Sequence, residues 1–297
     1  MANRLSWISI HGGRYIINRT VKTVEAEIPP VSAVMASQVN TAQGVSKPEM
    51  SGDRTLRCRY ELKYLISATQ TEAIEQFVRP YMGLDRYSKL QPDGYYPIVS
   101  LYLDSNDLQL CRETLTAKQN RFKLRIRGYS DDQQYPLFFE VKRRINTVIM
   151  KSRARVKHED LVPVMRGLRI SIPKDQESLD QFQLYVGTLG ARPMSLIRYL
   201  RKAYESESEN RVRITFDRQL CYKVTEEPRV YLSGSGWQYN HLTLEGIILE
   251  IKFTGHFPNW LCGMVRYLNL QAQGISKYTT SIQQACALGF CAPRGEN

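Results

Sequence analysis

The chain has 297 residues, of which 42% are hydrophobic and 24% are charged, as expected for a globular protein with a buried core. Lys and Arg number 41 against 29 Asp and Glu, and this net charge of +12 predicts an anionic partner: nucleic acid, a nucleotide, polyphosphate or an acidic membrane surface. No apolar run approaches the roughly 20 residues that span a bilayer, and no secretory signal is recognisable. We therefore expect a cytoplasmic protein without a transmembrane segment. The dispersed cysteines and histidines argue against a zinc site.

Residues 1–53 differ in composition from the rest of the chain. They contain Pro29-Pro30 and a stretch rich in Ser, Ala, Gln and Asn at 32–43. This composition is typical of a flexible or loosely docked extension. The sequence therefore predicts a folded domain over residues 54–290, with a short polar tail at 291–297.

Within that domain, period-two alternation of polar and apolar residues predicts roughly eight strands. They are expected at 59–66, 99–104, 122–127, 139–144, 151–157, 195–204, 211–217 and 249–253. Helices are expected from a cap at Thr69 or Thr71 to about residue 82, and at about 108–118, 158–166, 177–189, 258–268 and 276–288. Strands and helices do not alternate regularly, which favours an α+β fold: an antiparallel β-barrel, closed or nearly so, with helices packed outside.

The polar faces of these strands are unusually cationic. In the hairpin predicted at 124–144, Lys123, Arg125 and Arg127 share one face of the first strand, and Glu140, Lys142 and Arg144 share one face of the second. The stretch 151–157 has a cation at every second position, including Arg153 and Arg155. Basic residues also lie on the polar faces of other strands, at Lys63, Arg201, Arg213 and Lys252. A solvated sheet face ordinarily mixes neutral residues with both charge signs. The recurrence instead favours inward faces that form a tunnel for a polyanion.

Carboxylates interrupt this cationic pattern in a regular way. A glutamate precedes a lysine by two residues at Glu61, Glu140 and Glu250. Lone carboxylates among cations bind a polyanion poorly, but they suit Mg²⁺ or Mn²⁺, which bridge phosphate oxygens.

Six short motifs, in order, resemble the triphosphate tunnel metalloenzymes. They are Glu61-Leu62-Lys63, Arg125-Ile126-Arg127, Glu140-Val141-Lys142, Tyr199-Leu200-Arg201, Glu250-Ile251-Lys252 and Ser276-Lys277-Tyr278. Their order and spacing most resemble the catalytic domain of the vacuolar transporter chaperone (VTC) polyphosphate polymerases, over residues 57–288. The irregular start of this chain does not fit the helical inositol-phosphate-sensing domain of the eukaryotic polymerases, so we expect a stand-alone, prokaryotic-like form.

The resemblance implies a β-barrel tunnel that binds ATP, inorganic polyphosphate and a divalent metal, Mn²⁺ or Mg²⁺. It implies phosphate binding by Lys63, Arg125, Arg127, Lys142, Arg201, Arg213 and Lys277, with Arg155 and Lys252 as further tunnel cations. Tyr199 and Ser276 would line the tunnel, Glu250 would bind the metal, and Glu61 and Glu140 are further metal or positioning candidates. We expect Lys277, Arg125 and Arg127 to contribute most to catalysis.

The expected reaction is transfer of the ATP γ-phosphate to a growing polyphosphate chain, because cations outnumber the candidate carboxylates. A tunnel-type triphosphatase that hydrolyses its substrate is one alternative. A non-catalytic module that binds polyphosphate or nucleotide is another. Nucleic-acid binding is disfavoured, because the sequence contains no recognition-helix or RNP motif.

Overall fold

One antiparallel sheet organises the computed structural model, which describes residues 59–146, 148–206 and 212–289. Its strands are β1 (Arg59–Ile66), β2 (Gly83–Leu84), β3 (Tyr96–Asp104), β4 (Arg121–Gly128), β5 (Leu137–Ile145), β6 (Val148–Val156), β7 (Arg192–Glu205), β8 (Arg213–Val224), β9 (Gln238–Tyr239) and β10 (Ile247–Thr254). The order along the sheet is β1-β10-β8-β7-β3-β4-β5-β6, with β2 beside β7 and β9 beside β8. The predicted extension at 1–53 and tail at 291–297 lie outside the described residues.

The sheet curls into a half-barrel. Strands β1 and β5 lie far apart in the strand order. Even so, Lys142 Nζ on β5 donates a hydrogen bond to Glu61 Oε2 on β1 at 2.8 Å. The two ends of the sheet must therefore face each other, which confirms the predicted antiparallel, barrel-like α+β fold.

The helices are α1 (Ala68–Val78), α2 (Gln109–Leu115), α3 (Leu161–Met165), α4 (Gln176–Leu189), α5 (Asn259–Tyr267) and α6 (Lys277–Ala287). Helix α1 begins earlier than predicted, because Ser67 rather than a threonine is its N-cap. The Ser67 side chain accepts from the Gln70 backbone N–H, and the Gln70 side chain accepts from the Ser67 backbone N–H. This reciprocal capping box satisfies two N–H groups that the first helical turn leaves unpaired. None of the helices in the described ranges is long and apolar enough to cross a membrane.

The convex face of the sheet carries the two main hydrophobic clusters. Helix α4 packs on the β4–β5–β6 side, where the ring of Phe182 meets Phe139 edge to face. Helices α1 and α5 cover the β1–β10–β8 side, where Ile74 and Leu261 are fully buried. These contacts cover the apolar face of each strand, so that its polar face is left on the concave side.

Helix α6 has a different location from the other long helices. Its Tyr278 stacks on Tyr102 of β3, with ring centroids 4.9 Å apart, and belongs to the same buried cluster as Ile197 and Tyr222. Ile197 shares its strand face with Tyr199, which is directed into the concave side. The helix therefore fills part of the half-barrel from within. Its N-terminal residue, Lys277, lies at the remaining space.

Candidate functional site

The remaining space on the concave face is a cavity of about 500 Å³. It collects nearly all of the predicted site residues. Those that line it are Glu61, Lys63, Arg125, Arg127, Lys142, Tyr199, Arg201, Arg213, Glu250, Lys252, Ser276 and Lys277. Residues from seven different elements thus converge on one volume, and only Arg155 and Glu140 of the predicted set are not part of its lining.

These two residues have different surroundings. Arg155 is exposed on β6, opposite Phe138 of β5. Glu140 is fully buried within the wall, where its carboxylate lies 2.7 Å from Arg125 Nε, 2.6 Å from Lys151 Nζ and 3.0 Å from Arg153 Nε. Burial alone would raise the pKa of Glu140, but the surrounding cations outweigh it and lower that pKa. Its carboxylate pairs with cations inside the wall and does not line the cavity, so it is not placed to bind a metal ion there.

Strands β4, β5 and β6 form what we call the cationic wall. Lys123, Lys142 and Lys151 lie side by side in register across the three strands. One row deeper, Arg125 donates from Nη1 to the Tyr102 hydroxyl at 3.3 Å. Burial opposes ionisation of Tyr102, but the charges of Arg125 and its cationic neighbours outweigh burial and lower the pKa of this tyrosine to about 8.

Strands β1, β10 and β8 form what we call the mixed wall, in which charges alternate. In register, Glu61 faces Lys252 and Lys63 faces Glu250. Lys63 Nζ lies 3.1 Å from Glu61, and Lys252 Nζ lies 2.7 Å from Glu250. Burial and the negative charge of Glu250 both raise the pKa of Glu61, yet Lys63 and Lys142 outweigh them and the net shift is downward. Lys252 and its neighbours likewise outweigh burial and lower the pKa of Glu250, so both carboxylates are ionised at neutral pH.

The N-terminus of α6 meets the mixed wall at Asp217. This buried carboxylate accepts two hydrogen bonds from Arg201, at 2.7 and 2.8 Å, and lies 2.6 Å from Lys277 Nζ. Burial lowers the pKa of Lys277, but Asp217 outweighs it and the net shift is upward, so the ammonium group stays charged. Ser276 caps the helix by accepting from the Thr279 backbone N–H. Lys277 is thus held at a helix N-terminus with its charge fixed in place.

The mixed wall fits a divalent cation better than any other part of the cavity. Mg²⁺ is usually bound by one or two carboxylates together with substrate phosphates. Glu61 and Glu250 are near enough to repel each other, and a shared cation would relieve that repulsion. Across the residues that the structure describes, no group of three or more His, Cys, Asp or Glu side chains could hold a metal by itself. The donor set therefore suits a metal that arrives with a phosphorylated ligand.

Sequence reasoning did not select four residues of this site. Lys123 and Lys151 line the cavity, and both are in phase with arginines that were noted on their strands. Asp217 is in phase with Arg213, so its position on the concave face was also readable from the alternation. Tyr102 is in phase with Ser100 and Asp104 on β3, but this strand carries no basic residue, so its polar face was not selected with the phosphate-binding faces.

Comparison with known proteins identifies the family. The model of the VTC domain family matches residues 58–286. The chain belongs to the VTC domain family. This confirms the resemblance drawn from the six motifs. No curated protein sequence matches the chain.

Solved structures that align with most of this VTC domain share little of its sequence. A candidate adenylate cyclase from Bacillus halodurans is 10% identical over 74% of this chain and 95% of its own, with a TM-score of 0.41. A protein from Pyrococcus horikoshii is 12% identical over 76% of this chain and 99% of its own, with a TM-score of 0.40. A candidate adenylate cyclase from Vibrio parahaemolyticus is 13% identical over 76% of this chain and 98% of its own, with a TM-score of 0.38.

Proposed function

We propose that this VTC domain transfers the γ-phosphate of ATP to the end of a growing inorganic polyphosphate chain. The observation that carries the proposal is the charge imbalance of the cavity. Ten cationic side chains line it, against the two carboxylates Glu61 and Glu250. The cations are Lys63, Lys123, Arg125, Arg127, Lys142, Lys151, Arg201, Arg213, Lys252 and Lys277. Like charges at this density repel one another, so the cavity is suited to two polyanions bound together.

The proposed transfer needs no general base. The attacking atom is a terminal oxygen of the polyphosphate chain, which is already ionised near neutral pH. A bond forms between this oxygen and the γ-phosphorus, the bond from the γ-phosphorus to the β,γ-bridging oxygen breaks, and ADP leaves with that electron pair. The barrier comes from repulsion between two anions and from charge on the leaving group, which fixed cations reduce.

The carboxylates at the cavity are poorly suited to activating water. Burial raises the pKa of Glu250, but Lys252, Lys63 and Arg201 outweigh it and the pKa is lowered well below its usual range. The pKa of Asp217 is lowered in the same way, because Arg201 and Lys277 outweigh its burial. A base with so low a pKa removes protons from water inefficiently. This favours transfer between phosphates over hydrolysis.

Lys277, Arg125 and Arg127 are our candidates for stabilising the transition state. Lys277 combines a fixed ammonium charge with the N–H groups at the start of α6, which favour an anion. Arg125 and Arg127 approach from the opposite wall, and their planar guanidinium groups bind phosphate oxygens in pairs. The γ-phosphate would then lie between the two walls.

Glu61 and Glu250 would hold a divalent metal together with phosphate oxygens. Such an ion supplies further neutralisation of phosphate charge. The two carboxylates also keep Lys63 and Lys252 oriented toward the cavity, through the ion pairs described above.

A direct assay tests the proposal. The purified protein is incubated with ATP and Mn²⁺ or Mg²⁺, products are resolved on a polyacrylamide gel, and ADP is quantified in parallel. Chains that lengthen with time, with ADP formed in equal amount to the phosphate incorporated, are the expected result. Free phosphate without chains would identify a triphosphatase. Binding of ATP without turnover would identify a non-catalytic receptor.

A further inference from the structure

The cationic wall does not end where the cavity ends. Beyond the row of Lys123, Lys142 and Lys151, the next pair in register on β4 and β5 is Arg121 opposite Arg144. These arginines are in phase with the lysines, because side chains on a strand return to the same face every second residue. Arg144 is exposed, Arg121 is partly exposed, and neither belongs to the cavity lining. The cationic surface thus continues past the cavity toward the solvent.

The outer pair has no acidic counterpart of its own. Arg121 donates to the backbone carbonyl of Lys118, and Arg144 donates from Nε to the carbonyl of Asn146 at 2.8 Å. Within the described ranges, neither of these two arginines forms an ion pair with a carboxylate. The deeper rows differ, because Glu61 contacts Lys142 and Glu140 contacts Lys151.

Like charges placed directly opposite each other on a sheet are destabilising. In this protein the unfavourable arrangement occurs twice in succession, in the lysine row and in the arginine pair. Burial and the charge of Arg144 also lower the pKa of Arg121. A bound polyanion that follows both rows would relieve this repulsion.

We propose that Arg121 and Arg144, with the lysine row, form an outer track that binds the part of an inorganic polyphosphate chain extending beyond the cavity. This inference rests on the proposed function for the identity of the polyanion. From Arg127 to Arg121 the wall runs six residues, roughly 20 Å at the rise of a strand. A triphosphate in the cavity therefore leaves the outer pair free, whereas a long chain reaches it. The track makes the protein prefer long chains over short ones.

The track favours polyphosphate over a single-stranded nucleic acid. Sequence-tolerant nucleic-acid grooves combine cations with aromatic rings on which bases stack. The track residues are lysines and arginines, with the aliphatic Ile149 beside Arg144 on β6, and the track is continuous with the cation-lined cavity. It therefore offers charge at regular intervals without a stacking surface.

The test compares two ligands on one pair of variants. Dissociation constants are measured by calorimetry for inorganic tripolyphosphate and for long-chain inorganic polyphosphate. Arg121→Gln with Arg144→Gln is expected to weaken long-chain binding about tenfold, as two exposed ion contacts would. The slope of the logarithm of long-chain affinity against the logarithm of salt concentration should become shallower by roughly one to two, at about 0.7 for each lost phosphate contact. Tripolyphosphate affinity should stay unchanged, which also shows that the variant is folded.

A charge-matched control separates the track from net charge. Arg169→Gln with Arg229→Gln removes two exposed cations from other surfaces and should leave both affinities unchanged. The track would be overturned if its variant weakened the binding of both ligands equally or of neither. It would also be overturned if the control variant weakened long-chain binding as much as the track variant does. Tighter, track-dependent binding of single-stranded RNA would overturn the choice of polyphosphate. If track-dependent binding is found but no chains are made from ATP, the proposed function fails and the track stands.

Discussion

The two walls of the cavity differ in where their carboxylates lie. On the mixed wall, Glu61 and Glu250 line the cavity and lie beside the lysines with which they pair. On the cationic wall, Glu140 is fully buried within the strands, and the charged groups that face the cavity are all cations. One wall therefore presents both charge signs to a ligand, and the other presents almost pure positive charge.

The difference separates two tasks that a phosphoryl-transfer site must perform. A surface of fixed cations attracts and aligns phosphate oxygens, whichever phosphate of a chain it meets. A surface that also offers carboxylate oxygens can bind a divalent cation and concentrate charge at one position. We infer that the cationic wall binds successive phosphates of the polyphosphate chain, whereas the mixed wall and Lys277 position the reacting phosphate.

Lys277 should matter most, because its charge is fixed by Asp217 on the mixed wall and lies at the start of a helix. We expect Lys277→Ala to lower the rate of chain synthesis by about 10²–10³, as removal of a transition-state donor does in other enzymes. The rate is measured as ADP released under saturating ATP. Lys174→Ala removes an exposed lysine elsewhere and should have no effect. An unchanged rate for the Lys277 variant would show that the chemistry is not centred there.

Glu250→Gln should lower the rate of chain synthesis nearly as much as Lys277→Ala does. Unlike the rate of the Lys277 variant, its rate should depend on the concentration of the metal ion. The substitution removes a proposed metal ligand, and we expect a loss of about 10², in line with the several kcal/mol that a bound metal ion contributes. Raising Mn²⁺ should restore part of the rate, because the weakened site fills at higher concentration. Glu61→Gln should behave in the same way with a smaller loss. If added Mn²⁺ restores neither variant, the two carboxylates act only on the lysines.

Glu140→Gln should lower the rate of chain synthesis less than Glu250→Gln does, and added metal ion should not change the rate of this variant. The amide keeps the shape of the side chain but loses the charge that orients Arg125 through its 2.7 Å contact. We expect the rate to fall about tenfold, the cost of roughly one charge-assisted hydrogen bond. Added Mn²⁺ should not restore it. In combination with Arg125→Lys, the effects should be less than additive, because both changes disturb the same guanidinium. Additive losses, or rescue by Mn²⁺, would contradict a positioning role.

The sequence predicted which face of each strand would carry function, because period-two alternation follows directly from strand geometry. It could not predict how far along a strand the cavity extends. Arg155 and Lys151 are in the same phase on β6, yet only Lys151 lines the cavity. Phase also could not distinguish Glu140, engaged within the wall, from Glu61 and Glu250 at its surface. Those distinctions depend on the curvature of the sheet and on cross-strand neighbours.

Helix α6 shows a second limit of the same kind. The sequence predicted a helix at 276–288, close to its observed bounds of Lys277–Ala287, and expected helices on the outside of the barrel. An apolar stripe indicates that a helix packs on something, but it does not indicate which face of a sheet it covers. The aromatic residues Tyr102 and Tyr222 on the concave side receive it. They were not recognisable as a helix-binding surface, because Tyr102 is in phase with Ser100 and Asp104, a pattern that a cavity-lining face would show equally well.

An effect on binding rather than on rate should come from proton loss on the cationic wall at mildly alkaline pH. Burial lowers the pKa of Lys123 and of Lys151 to about 8 in each case. Tyr102 also titrates at about 8 and gains a negative charge as it does so. Raising the pH from 7 to 9 therefore removes up to two positive charges from the cavity and adds one negative charge, and each change weakens anion binding. A bound phosphate favours the protonated lysines, so affinity is full below the free-state pKa and declines as the pH rises through it.

We expect tripolyphosphate affinity to fall about tenfold between pH 7 and pH 9, which corresponds to roughly one charge-assisted contact. Calorimetry at constant ionic strength measures it. Because an arginine stays charged over this range, Lys123→Arg with Lys151→Arg should flatten the profile and leave only the part due to Tyr102. An equally steep profile in that variant would assign the titration to other groups. A flat wild-type profile would mean that proton loss from Lys123, Lys151 and Tyr102 is not linked to phosphate binding, and it would contradict the prediction.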